Sequence, residues 1–319
     1  MTALAPPETI EAPTSERRRS SLAGRLSPWN DGGRRPPKAP GQRSLLVRAL
    51  VLLIAFTWTL PTAGLLISSL RPAGAIATSG WWTVLIHPFE MSQWTLANYS
   101  SVLADRGMFD AFINSVVITI PATVIPISLA AFAAYAFAWI EFPGRKLLFA
   151  IVIGLLVVPL QMTLVPLLQL YVEWNLTGTY LGTWLAHTGF GLPMAIFLLY
   201  NYIADLPKEI LESAYVDGAS HFSAFTKLVL PLAAPVLAAF AIFQFLWVWN
   251  DFLVAYIFLG TGSEVAVLTA QLQQLVGTRG EDWHLLTAGA FVSMVVPLVV
   301  FLAMQRYFVR GLLTGGVKG

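Results

Sequence analysis

Residues 111–139, AFINSVVITIPATVIPISLAAFAAYAFAW, run without one charged side chain. At about 1.5 Å per residue, such a helix crosses the roughly 30 Å of hydrocarbon in a bilayer. Five further segments meet the same test: about 45–70, 147–172, 181–203, 232–259 and 285–309. In lipid, each segment must satisfy its own backbone hydrogen bonds, and helices do this alone. The pattern therefore predicts an all-α polytopic membrane protein with six transmembrane helices. Only 11% of the chain is charged, against about 25% in a soluble domain. Pro121, Pro126, Pro159, Pro166 and Pro297 fall inside the apolar runs. They are expected to kink helices whose neighbours satisfy the freed carbonyls.

Residues 1–44 are a different material, rich in Pro, Gly, Ser and Arg. They are expected to be a disordered basic tail, with residues 45–319 forming the membrane domain. A signal peptide is not expected, because no apolar core follows a short basic start. Arg17, Arg18 and Arg19 offer a contact to anionic lipid. Lys and Arg set the orientation. With the N-terminus inside, 16 of the 19 basic residues fall on inner segments, leaving only Arg71, Arg106 and Arg279 outside. Both termini are therefore expected in the cytoplasm.

Composition also excludes chemistry. Cysteine is absent, so there is no thiol nucleophile, disulfide or Cys-based metal site. His87, His187, His221 and His284 are scattered, and no metal site is expected. Glu281, Asp282 and His284 read as a solvated loop. No G-x-x-x-x-G-K-[ST] segment exists, so the chain is not expected to bind ATP or any other cofactor itself. Nothing points to nucleic acid. Trp81, Trp82 and Trp94 are expected as interfacial anchors in the first outer segment. A short helix is expected within 260–284.

The inner segment at about 205–231 is too organised for a plain connection. Pro207 suits a first helical turn, so 207–216 reads as a helix. Gly218 can close it in the left-handed conformation. Ser220 can cap a second helix, 221–229, with Leu230-Pro231 as its stop. Ile210, Leu211, Ala214 and Tyr215 supply an apolar surface. The product is a helix–turn–helix knob between the fourth and fifth spans.

Glu212-Ser213-Ala214, three residues, Gly218, nine residues, then Leu228-Val229-Leu230-Pro231 resembles the EAA loop of ABC importer permeases. Ser213 and Leu228 are mild departures from that pattern. The segments FINSVVITIPATV (112–124), WVWNDFLVAYIFL (247–259) and QRYFVRGLLTGGVKG (305–319) resemble the second permease subunit of maltose-type carbohydrate importers. GTRGEDWHLLTAGAF (277–291) is most similar to the α-glucoside branch. The resemblance implies the type I importer permease fold in a bacterial-type inner membrane. It also implies a second permease subunit, an external sugar-binding protein and a cytoplasmic ABC ATPase dimer that carries ATP and Mg. Glu212, Ser213, Ala214, Asp217, Gly218 and Ala219 would then contact the ATPase, and residues 311–319 would reach toward it.

Polar groups inside spans are costly and mark candidate pathways. Gln161, Gln244, Asn250 and Asp251 are the main candidates here, with Asn114 near the start of the second span. Trp247, Trp249 and Phe252 could stack on sugar faces; interhelical packing is the competing role. An ion-coupled secondary transporter of a small polar solute is the alternative function. It would ordinarily need several buried carboxylates, and Asp251 stands nearly alone. An intramembrane enzyme would need a catalytic pair that is not evident.

Overall fold

The computed structural model describes residues 45–262, 264–276 and 282–316, with side chains described as far as Met304. The expected basic tail, Arg279, Glu281 and the last three residues lie outside that range, as do the side chains of the C-terminal tail. The chain forms two units, one ending at Trp58 and one starting at Thr59. The described part of the first is the opening of helix α1 (Leu45–Ser69), which exposes Leu, Val and Ile side chains along its length.

The second unit begins with the rest of α1. Short helices α2 (Ala73–Thr78), α3 (Thr83–Ile86) and α4 (Ala97–Ser100) follow. Then come α5 (Met108–Trp139), α6 (Arg145–Gly154), α7 (Leu160–Glu173) and α8 (Tyr180–Ala204). The knob holds α9 (Lys208–Val216), α10 (His221–Ala224) and α11 (Leu230–Leu232). Finally come α12 (Ala234–Trp249), α13 (Leu253–Phe258), α14 (Leu268–Gln274) and α15 (Trp283–Gly316). No strand occurs among the described residues. The short helix expected within 260–284 is α14.

Among the described residues, four helices are long and apolar enough to span a bilayer: α1, α5, α8 and α15 over Trp283–Met304. Two more spans are counted only if bent pairs are taken together. The expected third span, 147–172, is two helices meeting at 105°. Val158 is extended there (ψ 117°) and Pro159 follows. Proline disfavours the helical conformation of the residue before it, and apolarity cannot reveal that break. The expected fifth span, 232–259, is also interrupted. The arm His221–Leu232 meets α12 at 71°, and α12 ends at Asn250 before α13 begins.

Pro121 and Pro126, by contrast, sit inside an uninterrupted α5. A helical proline leaves the carbonyl four residues earlier without a donor. For Pro121 that carbonyl is Val117, which accepts from the indole Nε1–H of Trp184 on α8 at 3.1 Å. For Pro126 it is Ala122, which accepts from Gln244 Nε2 on α12 at 3.2 Å. For Pro297 in α15 it is Ser293, which accepts from Trp249 Nε1 on α12 at 3.0 Å. Each proline thus becomes a cross-link between helices.

The core lies where α5 packs along α8, with α12 against both. Ala130, Ala131, Ala134 and Ala195 are buried at that seam. Small residues let helix backbones approach closely, which is how membrane helices gain dispersion energy. Beyond α1, Arg71 organizes the segment that leads to α5. It is 1% exposed, and its guanidinium donates to the carbonyls of Ala75 and Ser79 and to the side chains of Ser79, Thr83 and Gln93. Burial pushes its pKa below the ordinary arginine value. Trp81 is not a free anchor, since a Cβ added to Gly64 would come within 2.8 Å of its indole. Trp82 is exposed, and Trp94 donates to the Pro88 carbonyl.

Candidate functional site: the helical knob and the polar interior

The first knob helix, Lys208–Val216, closes as the sequence suggests. Gly218 has φ +81°, its N–H donates to Tyr215 O at 3.0 Å, and Ala219 N–H donates to Ala214 O at 2.9 Å. These two bonds form a Schellman closure, which satisfies carbonyls that a helix end leaves free. Pro207 sits at the N-cap, one position before the expected first turn. The Ser220 hydroxyl caps the second helix by accepting from Ser223 N–H at 3.2 Å. That helix runs past the expected stop. It widens to a π-helix over Phe225–Val229, where Leu230 N–H bonds to Phe225 O, and passes through Pro231 before breaking at Ala233. The wider turn absorbs the missing proline donor, so Leu230-Pro231 does not end the helix.

One face of the knob is built into the core. Leu211, Ala224, Phe225 and Val229 are buried among Ala130, Ala134 and Tyr135 of α5 and Leu199 and Ile203 of α8. Fully burying a Leu or Phe side chain contributes about 1.5–3 kcal/mol. A polar triangle reinforces the seat. The Tyr135 and Tyr215 hydroxyls are 2.9 Å apart, and they lie 3.2 and 3.1 Å from Nδ1 of His221. It ties α5, α9 and α10 at one point. The other face is open: Glu212, Ser213, Asp217 and Gly218 are exposed, with Ala214 and Ala219 half-buried. Val216 is 88% exposed and Phe222 68% exposed. Ile210, expected in the apolar surface, is on this open side, whereas Leu211 and Tyr215 face inward.

The polar span residues divide into two groups. Gln161 on α7 and Asn250 at the end of α12 are exposed, and Asn250 donates to Leu246 O at 2.7 Å. Gln244 is 1% exposed and committed to Ala122 O. Asn114 is buried and donates to the carbonyls of Glu264 and Ala266 while accepting from Tyr180. Asp251 turns inward and accepts from Ala255 N–H at 3.0 Å, capping α13. Its other neighbour is the fully buried His187, at 3.8 Å. Trp249 is 3% exposed, and Phe252 lies at the surface. Trp247 lines a cavity of about 290 Å³ with Thr163, Gly189 and Phe190. Asp282, just before α15, pairs with Arg106 at 3.9 Å. No cluster of three possible metal ligands occurs among the described residues.

A bundle of broken and proline-bearing apolar helices, carrying a helical knob between two of them, defines a polytopic membrane protein. Residues 41–314 match the family described as binding-protein-dependent transport system inner membrane component. The chain belongs to that family. It is 60% identical to the osmoprotective compounds uptake permease protein GgtD of Synechocystis sp., over 86% of this chain and 93% of that protein. It is 46% identical to the α-glucoside transport system permease protein AglG of Rhizobium meliloti, over 88% of this chain and 99% of that one. A chain of a bacterial ABC transporter involved in the import of the acidic polysaccharide alginate shares the fold. Its TM-score is 0.58 at 16% identity, covering 83% of this chain and 96% of that chain. The chain therefore has the type I ABC permease fold and is a transport component rather than an enzyme.

Proposed function

We propose that this chain is one of two permease subunits of an ATP-driven importer, and that its knob couples an ABC ATPase dimer to the translocation path. The observation that supports this most is the two-faced knob. Its inner face is fixed to α5 and α8, and its outer face leaves Val216 and Phe222 exposed beside Glu212 and Asp217. Exposed apolar side chains rimmed by charge suit a protein partner. ATP and Mg stay on that partner. ATP binding closes the ATPase dimer and moves the knob. Because the knob is packed rigidly on α5 and α8, those helices move with it. The two global states differ in ATPase contact, and that difference biases alternating access. An extracytoplasmic sugar-binding protein delivers the solute. Both termini and the knob face the cytoplasm of a bacterial-type inner membrane.

Gln161 and Asn250 are the pathway residues this reading favours, since each is exposed beside a helix break. Gln244 and Asp251 serve the interior instead. The solute is a carbohydrate of α-glucoside type, as in the α-glucoside relative. A second reading, uptake of osmoprotective compounds, is favoured by the 60% identity to the osmoprotective-compound permease. Competition of labelled maltose uptake by a panel of α-glucosides and osmoprotectants in whole cells separates the two.

The coupling role has a direct test. The natural chain has no cysteine, so Val216→Cys places its only thiol on the open face. Thiol cross-linking in membranes should then join this chain to an ATPase subunit. If Val216→Cys and Phe222→Cys both fail to reach any ATPase in a complex that still assembles, the knob does not dock there.

A further inference from the structure

A small cavity of about 10 Å³ lies where α5, α8 and the break after α12 meet. Ser115, Thr119, His187, Trp249, Asp251 and Ala255 line it. The His187 side chain is 1% exposed, and neither of its ring nitrogens has a hydrogen-bond partner. Leaving a buried polar group unpaired costs about 1–3 kcal/mol, so native proteins rarely do it. Nε2 points toward Asp251 Oδ2 at 3.8 Å, beyond the reach of a direct hydrogen bond. The same oxygen already accepts from Ala255 N–H. On the α5 side, Ser115 Oγ accepts from Leu268 N–H at 2.8 Å.

We propose that this cavity is an internal hydration site that holds one water molecule between His187 and Asp251. A single water needs about 10–15 Å³ and two to four polar partners. The volume meets the lower bound. The imidazole, the carboxylate and the α5 hydroxyls supply the partners. Water both donates and accepts, so it can pair with Nε2 of His187 in either neutral tautomer. Cavities that stay dry are apolar, whereas this one carries an imidazole, a carboxylate and two hydroxyls among apolar neighbours such as Ile118 and Val248. A metal cation fits less well, because no cluster of three possible metal-ligating side chains occurs among the described residues. The water joins α5 and α8 to the Asn250–Phe252 break, and it makes Asp251 a positioning residue for α13.

Radiolytic hydroxyl labelling tests it, because a buried residue beside bound water is oxidised where other buried residues are spared. The full-length chain in its native complex, in lipid nanodiscs, is exposed to short X-ray pulses and read by mass spectrometry. Trp249, at 3% exposure, should be oxidised early, while Phe225, at 2%, should not. His187→Phe should abolish the Trp249 label. A Trp249 that stays unlabelled while exposed Trp82 reacts would overturn the proposal, as would equal labelling in His187→Phe. If that variant does not assemble, electron cryo-microscopy of the wild type decides. A density peak between His187 and Asp251 supports the site. Its absence, in a map that shows ordered water elsewhere in the bundle, rejects it.

Discussion

Gln244 supplies the hydrogen bond that Pro126 withholds. The two residues lie on different helices, and the carbonyl between them, Ala122 O, is 3.2 Å from the glutamine amide. The relationship is testable as a pair. Gln244→Leu should destabilise the protein by about 1–3 kcal/mol, because a buried carbonyl loses its donor. In a Pro126→Ala background the restored N–H fills that carbonyl. The cost of Gln244→Leu should then shrink by about 1 kcal/mol. A double-mutant cycle on thermal or denaturant unfolding in detergent reads this directly. Additive effects would show that the amide does not serve Pro126.

The Tyr135–Tyr215–His221 triangle predicts an uncoupling phenotype. Tyr135→Phe keeps the ring packed on Phe225, whose centroid is 5.2 Å away, but removes the shared hydroxyl. Loss of a partly buried hydrogen bond costs about 1 kcal/mol. The fold should survive, while solute moved per ATP hydrolysed should fall, because the knob can shift without carrying α5. An unchanged ratio in reconstituted vesicles would remove the triangle from the coupling route.

Gly218 separates backbone strain from crowding. A Cβ there meets nothing within 4 Å, yet φ is +81°. Gly218→Val should therefore cost about 1–2 kcal/mol through the left-handed backbone alone. Gly218→Asn should cost less, since asparagine tolerates that region. Membrane insertion should be normal in both. Co-purification of the ATPase should weaken with valine and recover with asparagine; equal recovery in both would count against a fixed turn.

Arg71 should resist its conservative replacement. Its fork serves two carbonyls and three side chains at once. A lysine is a point charge and cannot match that geometry. Arg71→Lys and Arg71→Met should both loosen residues 72–105, seen as faster limited proteolysis there while α5 stays protected. Equal protection in Arg71→Lys would mean that charge suffices.

Outcomes are predictable at positions where periodicity and local chemistry act alone. The helical class, the two-helix knob, the Gly218 closure and the Ser220 cap were all legible from residue types. Each depends on a few neighbouring residues and on lipid forbidding unpaired backbone. The family resemblance carried by Glu212, Ala214, Gly218 and Pro231 was legible for the same reason, because the motif is local. What only the tertiary structure decided was where polar groups end up. Gln244 and Asp251 read as equals of Gln161 and Asn250, yet the fold sealed the first two inside and left the others exposed. His187 read as a stray histidine, and the fold buried it beside Asp251 with neither ring nitrogen paired. Pro126 stays inside its helix, where a donor from another helix fills the freed carbonyl, while Pro159 follows a residue turned out of the helical conformation. Gln244 reaches the first, whereas the chain before Pro159 turns away by 105°. A linear pattern gives the need for a hydrogen bond; only packing in three dimensions supplies the partner.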